Sequence, residues 1–365
     1  CMKAAVLYEI GQPLCIEDVE LDSPGEYEVH IRVGAAGICR SDLHYIQGDQ
    51  RTPLPVVLGH EGSGTVLDVG DKVTRVVPGD RVILSFVPNC GRCRFCLVGK
   101  PHLCDEHGAT GAAMFDGTTR LHKGNTRIAH MGKVACFAEE AVVPESGCIP
   151  VTKDLPLPHA ALIGCSVTTG VGAALYTAAV EPGSDVVVVG AGGVGLNVIQ
   201  GCRLAGARSV IAVDIQEGKL EFATKFGATH TINPSVQDPV ERVLQLTEGR
   251  GAHYSFEVFG SSQTTELAYT LTGKGGMLVV VGLAPVNEAA AFSAVDLVRH
   301  EKTIKGSYYG STRSHLDMPT MVGLYQSGRI NIDDLIAREY RLEDINLALS
   351  DLANGEIGRG VITRF

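Results

Sequence analysis

The stretch Val186–Asp214 reads VVVVGAGGVGLNVIQGCRLAGARSVIAVD, and it decides the fold of the second part of the chain. Four consecutive valines favour a parallel strand buried on both faces. After the glycines, apolar residues recur on one helical face, and Gly206 is placed to end that helix. A second apolar run then ends at Asp214. The pattern predicts a strand, a turn, a helix and a second strand.

The glycine-rich turn indicates a dinucleotide site. Its glycines suit a backbone that approaches a pyrophosphate closely at a helix N-terminus. Asp214 follows the last of them by nineteen residues, where a carboxylate can accept both ribose hydroxyls of NAD. A purely structural glycine turn is the alternative, but the strand, the helix and the spaced acid together favour NAD binding. The predicted contacts of the turn are Gly190, Gly192, Gly193, Val194 and Gly195.

Length and composition set the class of protein. A chain of 365 residues is expected to form two domains. A net charge of −10 argues against nucleic acid or an anionic membrane surface as a partner. No apolar run approaches the ~20 residues of a membrane span, and no secretory signal pattern stands at the start. A cytoplasmic protein with no membrane partner is therefore expected.

The two parts of the chain differ in their predicted secondary structure. Short strands and turns run from Met2 to about Val151, which predicts a β-rich domain. Strands and helices alternate after Val186, so an α/β fold with a doubly wound parallel sheet is expected there. A helix is expected over 164–179, and a strand at 360–362 that returns to the first domain. The later strands are expected at 210–213, 229–232, 255–258, 277–281 and 303–308.

One segment stays without a predicted element. The polar residues 107–133 are rich in Gly, Thr and His, and the segment is long for a connection. It is expected to be a surface loop beside a site.

Four closely spaced cysteines form the strongest metal signal. Their spacing lets one loop wrap a tetrahedral ion, as a closed zinc site requires. An iron–sulfur cluster and unliganded thiols are the alternatives, but nothing else in the chain suggests electron transfer through a cluster. A structural zinc is therefore predicted at Cys90, Cys93, Cys96 and Cys104.

A second metal site is not apparent from spacing alone. Cys39, His60 and Cys165 lie far apart in sequence, each in a Gly-containing run. Two thiolates and an imidazole would leave the fourth position of zinc open for a substrate oxygen. Taken separately, however, each is more often a packing residue than a ligand.

The runs 37–44, 59–64, 90–104, 164–165 and 190–195 resemble the zinc-dependent alcohol dehydrogenases of the medium-chain dehydrogenase/reductase family, in order and at similar spacing. This resemblance implies a GroES-like catalytic domain at 1–166 and 309–365, and a Rossmann domain at 167–308. It also implies a catalytic zinc on Cys39, His60 and Cys165, hence two zinc ions per chain. Glu61 matches a glutamate that lies close to the metal in the family.

The resemblance also assigns a proton relay. A zinc-bound alcohol has a lowered pKa, and its proton must leave a site that is closed to water. Ser41 matches the hydroxyl that takes this proton, and His44 matches the residue that releases it to solvent. Without the resemblance, Ser41 would be read as a helix cap and His44 as a solvated side chain.

Further positions match cofactor and substrate contacts of the family. Arg40 and Arg359 match residues that hold the pyrophosphate, where a guanidinium suits phosphate. Lys219 matches a second contact to the adenosine ribose. Phe86 and Thr169 match positions beside the substrate and the nicotinamide.

One departure concerns the substrate. Residues 116–120 and 137–139 resemble the glutathione-dependent formaldehyde dehydrogenases, which carry an arginine four residues after the fourth structural cysteine. Gly108 stands at that place. The expected function is therefore NAD-dependent interconversion of an alcohol, primary or aromatic, and its aldehyde or ketone.

Two alternative functions stay open, and an oligomeric assembly is expected. The rivals are oxidation of a formaldehyde adduct of another thiol, and a non-catalytic zinc- and NAD-binding protein. An intact proton relay argues against the second. A homo-oligomer, a dimer or a tetramer, is expected because an unpaired strand edge at 303–308 is a liability that a symmetric partner removes.

Overall fold

Two sets of residues form separate units in the computed structural model, which describes all 365 residues. Unit 1 consists of Cys1–Cys165, Arg313–Gly328 and Ile332–Phe365, and unit 2 of Ser166–Thr312 and Arg329–Asn331. The domain boundaries expected from the sequence stay a prediction.

The strands are numbered in chain order. They are β1 (Met2–Leu7), β2 (Cys15–Leu21), β3 (Glu28–Gly37), β4 (Val56–Val57), β5 (Glu61–Val69), β6 (Arg81–Leu84), β7 (Leu121–Lys123), β8 (Thr126–His130), β9 (Glu140–Pro144), β10 (Cys148–Val151), β11 (Asp185–Val189), β12 (Ser209–Val213), β13 (His230–Ile232), β14 (Ala252–Glu257), β15 (Thr272–Val280), β16 (Thr303–Gly306), β17 (Ile336–Arg341) and β18 (Arg359–Arg364).

The α-helices are numbered in the same way. They are α1 (Arg40–Gln47), α2 (Arg94–Leu97), α3 (Asp105–Thr110), α4 (Leu157–Leu162), α5 (Thr168–Gly172), α6 (Gly193–Leu204), α7 (Glu217–Lys225), α8 (Pro239–Leu246), α9 (Ser262–Leu271), α10 (Ala294–Arg299), α11 (Ser314–Gln326) and α12 (Ile345–Ala353). Wider π-helical turns cover Ile163–Val167 and Ala173–Ala178.

Unit 1 is built on β-sheet, as the sequence predicts. A closed barrel has the strand order β1-β2-β7-β8-β4, and a 7-stranded sheet has the order β10-β6-β5-β3-β18-β17 with β9 on β3. The strand at the chain's end pairs antiparallel with β3, where Val361 faces Gly37 and Ile362 faces Ala36. The predicted return of this strand to the first domain is confirmed.

Unit 2 holds a 6-stranded sheet in the order β13-β12-β11-β14-β15-β16. Each neighbouring pair is parallel, so the doubly wound sheet is confirmed. The order reverses between β11 and β14, and ligands of such sheets bind at the carboxyl ends of the strands at this point. The valines of β11 are all buried, and helices α6 and α9 both contact this strand.

The expectation of a surface loop over 107–133 is wrong. The segment contains most of α3 and the hairpin β7–β8, in which Lys123 pairs with Thr126 across a two-residue turn. Gly124 has a φ of 56°, which the turn requires and an L side chain rarely adopts. The signal for a hairpin was therefore Gly124-Asn125 between two short segments.

One helical segment, Leu157–Ala178, has 22 residues and is long and apolar enough to cross a membrane by length and composition. Within the protein, 83% of its most apolar window is buried. Such burial is typical of a core helix.

Candidate active site

Helix α1 begins beside the first candidate metal ligand. Cys39 is its N-cap residue, with extended backbone (φ −120°, ψ 152°). Asp42, in the first turn, accepts a hydrogen bond from the Cys39 backbone nitrogen at 2.9 Å. This reciprocal cap satisfies an otherwise unpaired amide and fixes the orientation of Cys39.

The same aspartate holds the second ligand. Asp42 is fully buried, and its Oδ1 lies 3.2 Å from Nδ1 of His60 and 3.2 Å from the Gly59 nitrogen. A carboxylate at Nδ1 keeps the proton on that atom, so the lone pair of Nε2 is available to a metal ion. Asp42 was not predicted from the sequence, although an acid three residues after an N-cap is a recognisable capping signal.

The third ligand lies in an irregular stretch of helix. Cys165 belongs to the π-helical turn Ile163–Val167, a geometry that is frequent at functional sites. The ligand atoms of Cys39, His60 and Cys165 all lie within 4.8 Å of one another, and all three residues are buried. The fold thus brings together three residues that spacing alone did not join.

This group fits a zinc ion in chemistry and size. Ligand atoms around a tetrahedral zinc ion are separated by roughly 3.3–3.8 Å, since the bonds are about 2.0–2.3 Å long. Two thiolates would balance the charge of Zn²⁺, and three protein ligands leave the fourth position to substrate. The two sulfur ligands also make a carboxylate-preferring ion such as Mg²⁺ a poor fit.

The pKa values of Cys39, His60 and Cys165 are shifted in different directions. A hydrogen bond from Cys165 holds the pKa of Cys39 well below its usual value, with help from Arg359 and His60. Donating that bond, together with burial, raises the pKa of the Cys165 thiol. Burial alone would lower the pKa of His60, but the charge and hydrogen bond of Asp42 outweigh it and raise the pKa.

Glu61 and Arg359 form a buried ion pair next to the ligands. Glu61 is fully buried and Arg359 is 4% exposed, and the arginine Nη2 donates to the carboxylate. Although burial lowers the pKa of Arg359, the charges of Glu61, Cys39 and Cys165 raise it more. A Cβ at Gly37 would lie 2.5 Å from Oε2 of Glu61, so glycine is required there. The Nε of Arg359 has no partner and remains an available donor.

The predicted relay residues lie on α1. Ser41 is half-buried, and its Oγ is 3.8 Å from the sulfur of Cys39. His44 is buried, and its Nδ1 is 2.9 Å from Oδ2 of Asp49. Arg40 is exposed at the first position of the helix. The contact between His44 and Asp49 was not predicted from the sequence.

Phe86 provides an apolar wall beside the metal ligands. Its ring packs edge-on against His60, with 5.2 Å between the ring centroids. Gly132 lies behind it, where a Cβ would approach that of Phe86 to 2.9 Å. This close packing fixes the position of the aromatic ring.

The four-cysteine cluster is a second group that could hold a metal ion. The sulfurs lie within 4.8 Å of one another, and four sulfurs at ~2.3 Å from one zinc ion would be about 3.8 Å apart. The backbone nitrogens of Arg92 and Cys93 donate to the sulfur of Cys90, at 3.4 and 3.3 Å. Burial raises the pKa of Cys90 and outweighs these bonds, which lower it. A hydrogen bond from the Cys96 backbone lowers the pKa of Cys93 to about 7. The group consists of Cys90, Cys93, Cys96 and Cys104.

The glycines of the turn between β11 and α6 are not all required by the protein's own backbone. Gly190 has a φ of 103°, and a Cβ at Gly195 would lie 1.9 Å from the Gly190 oxygen. A Cβ at Gly192, by contrast, would meet no atom within 4 Å, so nothing in the protein itself requires glycine there. Its exposed backbone at the start of α6 is the position that a pyrophosphate can approach. Gly193 and Val194 form the first turn of this helix.

Asp214 is oriented at the carboxyl edge of the same sheet. Its carboxylate accepts hydrogen bonds from the backbone nitrogens of Ala191 at 2.9 Å and Gln216 at 3.0 Å. A carboxylate has about four acceptor sites, so two remain for ribose hydroxyls. Lys219, in α7, and Thr169, in α5, are both half-buried.

Both halves of the sequence match known families. Residues 25–153 match the alcohol dehydrogenase GroES-like domain, and residues 193–327 match the zinc-binding dehydrogenase family. The chain is 42% identical over 365 residues to an NDMA-dependent alcohol dehydrogenase of Amycolatopsis methanolica, covering 99% of this chain and 98% of the relative.

Solved structures agree with these matches. Benzyl alcohol dehydrogenase from Acinetobacter calcoaceticus has a TM-score of 0.94 at 34% identity, covering 100% of this chain and 99% of that one. A zinc-binding dehydrogenase from Sinorhizobium meliloti, solved with NADP bound, has a TM-score of 0.82 at 28% identity and covers 99% of each chain.

The fold and the site define an oxidoreductase that uses zinc and a nucleotide cofactor. The chain belongs to the zinc-dependent alcohol dehydrogenases of the medium-chain dehydrogenase/reductase family, with a GroES-like domain and a Rossmann-type domain. Its reaction interconverts an alcohol and the corresponding aldehyde or ketone.

Proposed function

We propose that this enzyme oxidises uncharged primary or aromatic alcohols with NAD, using a catalytic zinc on Cys39, His60 and Cys165. The convergence of these three ligands in one buried group carries the proposal. When bound, zinc supplies Lewis-acid polarisation of the substrate oxygen, and the nicotinamide supplies the hydride acceptor. A second, structural zinc is assigned to the four-cysteine cluster.

The protein's own residues hold the substrate and move its proton. Ser41 accepts the alcohol proton, since its hydroxyl lies next to the ligand Cys39 and can accept while donating onward. His44 passes the proton towards solvent. Phe86 packs against the ligand His60 and forms the apolar wall that an alkyl or aromatic group contacts. The ion pair of Glu61 and Arg359 places a fixed charge pair beside the thiolates.

NAD is preferred over NADP in this proposal. The Asp214 carboxylate accepts ribose hydroxyls and repels a 2′-phosphate. The other cofactor contacts are Gly190, Gly192, Gly193, Val194, Gly195, Lys219, Thr169, Arg40 and Arg359. Because one relative is named as NDMA-dependent, cofactor use is tested in parallel assays with NAD, NADP and NDMA.

A glutathione adduct is the disfavoured substrate. The lysines and arginines of residues 107–133 are already engaged. Arg120 is bound by Glu28 at 2.7 and 2.8 Å and Arg127 by Asp22 at 2.6 Å, while Lys133 donates to the carbonyl oxygens of His107 and Gly111 on either side of Gly108. Lys123 likewise pairs with Glu17. An anionic thiol adduct would have to break one of these pairs to be held.

A symmetric dimer completes the proposal. Strand β16 ends the sheet, and all its residues are exposed, so its unpaired edge suits pairing with a second copy. Light scattering should give twice the chain mass of 38.6 kDa, or four times for a tetramer. A monomer mass would contradict this part.

The function is tested by NADH formation across primary, secondary and aromatic alcohols, with Cys39→Ser as the inactive variant and Cys15→Ser as the matched control. Cys15 is exposed and Cys39 is buried in the ligand group. Benzyl alcohol and primary alcohols should be oxidised by the unmodified enzyme and by the control. If Cys39→Ser retained full activity, the proposed metal site would be wrong.

A further inference from the structure

The turn that ends helix α1 places Asp49 against His44, the predicted relay residue. Gly48 caps the helix in the left-handed region (φ 82°, ψ 9°), and its nitrogen donates to the Tyr45 oxygen at 3.3 Å. The Gln50 nitrogen then donates to the His44 oxygen at 3.2 Å. This turn folds Asp49 against His44, where Oδ2 lies 2.9 Å from Nδ1.

Glycine is required at the centre of this turn. Besides its positive φ, a Cβ at Gly48 would lie 2.9 Å from Cγ2 of Ile10. The chain therefore reverses tightly, and Asp49 reaches a histidine five residues earlier, which no helical spacing would allow. The contact follows from the local fold.

The two side chains differ in exposure. The side chain of His44 is 7% exposed and that of Asp49 is 28% exposed. The histidine is thus shielded from water, whereas the carboxylate lies at the boundary with solvent. A shielded imidazole needs a partner for its N–H group and a counter-charge when it is protonated.

We propose that Asp49 is a positioning residue for proton transfer through His44. A neutral imidazole has one N–H, and a carboxylate at Nδ1 keeps the proton there. Nε2 is then left with the lone pair that accepts the incoming proton. This inference rests on the proposed function, because it assigns a partner to the relay that begins at Ser41.

The proton step balances without a further reactant. A proton arriving from the relay forms a bond with Nε2, and the ring becomes an imidazolium that keeps its Nδ1–H on the Asp49 carboxylate. The carboxylate stabilises this cation and is not protonated, as in other His–Asp pairs. Transfer of the Nε2 proton to water, at the 7% of the His44 side chain that stays exposed, restores the neutral form.

The tautomer of His44 gives a readout that does not need activity. In protein labelled with ¹⁵N-histidine, long-range ¹H–¹⁵N spectra show which ring nitrogen carries the proton. The His44 signals are assigned by their loss in His44→Gln. The unmodified protein should show His44 protonated at Nδ1, and Asp49→Ala should move a large part of the population to the Nε2–H form. An Nε2–H tautomer in the unmodified protein would overturn the proposal.

Kinetics test the same role. Asp49→Ala should lower kcat for benzyl alcohol about tenfold with little change in KM. This is less than the ~10²–10⁴-fold that a proton-transfer group itself contributes, because Asp49 acts only through His44. Asp49→Glu should restore part of the loss. Asp71→Ala, a change of the same type at an exposed aspartate of unit 1, should have no effect.

A double-mutant comparison separates this inference from the proposed function. If Asp49 acts through His44, Asp49→Ala should add no loss of kcat to His44→Gln. If Asp49→Ala lowered kcat as much in His44→Gln as it does in the unmodified protein, the role of Asp49 would be merely structural. An unmodified protein without activity on any alcohol contradicts the proposed function itself. An active enzyme that is indifferent to Asp49→Ala contradicts only the role of Asp49.

Discussion

The Asp42 carboxylate lies 3.2 Å from Nδ1 of His60, and both side chains are buried. Its other oxygen accepts from the Cys39 nitrogen at 2.9 Å, so one side chain orients two of the three candidate zinc ligands. Partners of this kind fix the tautomer of a ligating histidine and strengthen it as a ligand.

Replacing Asp42 with Asn should therefore weaken zinc binding. The amide oxygen can still accept from Cys39, but its NH₂ group would then face the Gly59 N–H and Nδ1 of His60. A donor at Nδ1 would favour the proton on Nε2, the atom required by the metal. Zinc affinity, measured by competition with a chelator, should fall roughly 10–100-fold. Asp71→Asn is the control, and unchanged affinity in Asp42→Asn would refute this role.

The two cysteine groups should hold two zinc ions with different consequences. Cys93→Ser should lose one zinc and lower the melting temperature, because a closed site contributes folding energy. Cys39→Ser should abolish turnover, while NADH binding, measured by fluorescence, survives. Elemental analysis is expected to give two zinc ions per chain in the unmodified protein and in Cys15→Ser. One zinc in the unmodified protein would rule out this assignment.

Asp214 should set the preference for NAD. Two hydrogen bonds from ribose to a charged acceptor contribute ~1.5–3 kcal/mol each, so Asp214→Gly should weaken NAD binding at least tenfold and narrow the gap to NADP. Asp214→Asn, which keeps the shape but removes the charge, should mainly relieve the repulsion of NADP. Titration calorimetry measures both cofactors. Equal affinity of the unmodified protein for NAD and NADP would mean that Asp214 does not discriminate.

The paired cations near Gly108 predict a poor reaction with S-hydroxymethylglutathione. Its kcat/KM should be lower than that for benzyl alcohol, because the lysines and arginines of residues 107–133 are already bound by acids or by carbonyl oxygens. A Cβ at Gly108 would meet no atom within 4 Å, so Gly108→Arg should fold normally and raise kcat/KM for the adduct. A higher kcat/KM for the adduct in the unmodified enzyme would contradict the prediction.

The dinucleotide half of the fold could be predicted because local patterns specify it. The run Val186–Asp214 contains the buried strand, the tight turn and the acid in one continuous stretch, and β12 and the end of β15 have similar apolar runs. Strand ends shifted by a few residues, since pairing with neighbours rather than composition sets them; β15, for example, begins at Thr272 instead of 277.

The contacts that shape the site could not be predicted in the same way. Asp42 and Asp49 are single acids in a short helix and its turn, and their roles depend on where His60 and His44 lie in space. Arg359 was assigned to the pyrophosphate, and that role stays a prediction; the structure adds its buried partner, Glu61, 298 residues away. The hairpin β7–β8 was missed because its strands are short and polar, so apolar periodicity gives no signal.

The most direct test of the account follows the hydride itself. Benzyl alcohol carrying two deuterium atoms on its carbinol carbon is incubated with the enzyme and NAD, the protein is denatured, and the released cofactor is analysed by mass spectrometry. The account predicts benzaldehyde with one deuterium and NADH that is one mass unit heavier, in equal amounts, and neither product with Cys39→Ser. Benzaldehyde formed without deuterium in the nicotinamide would contradict it.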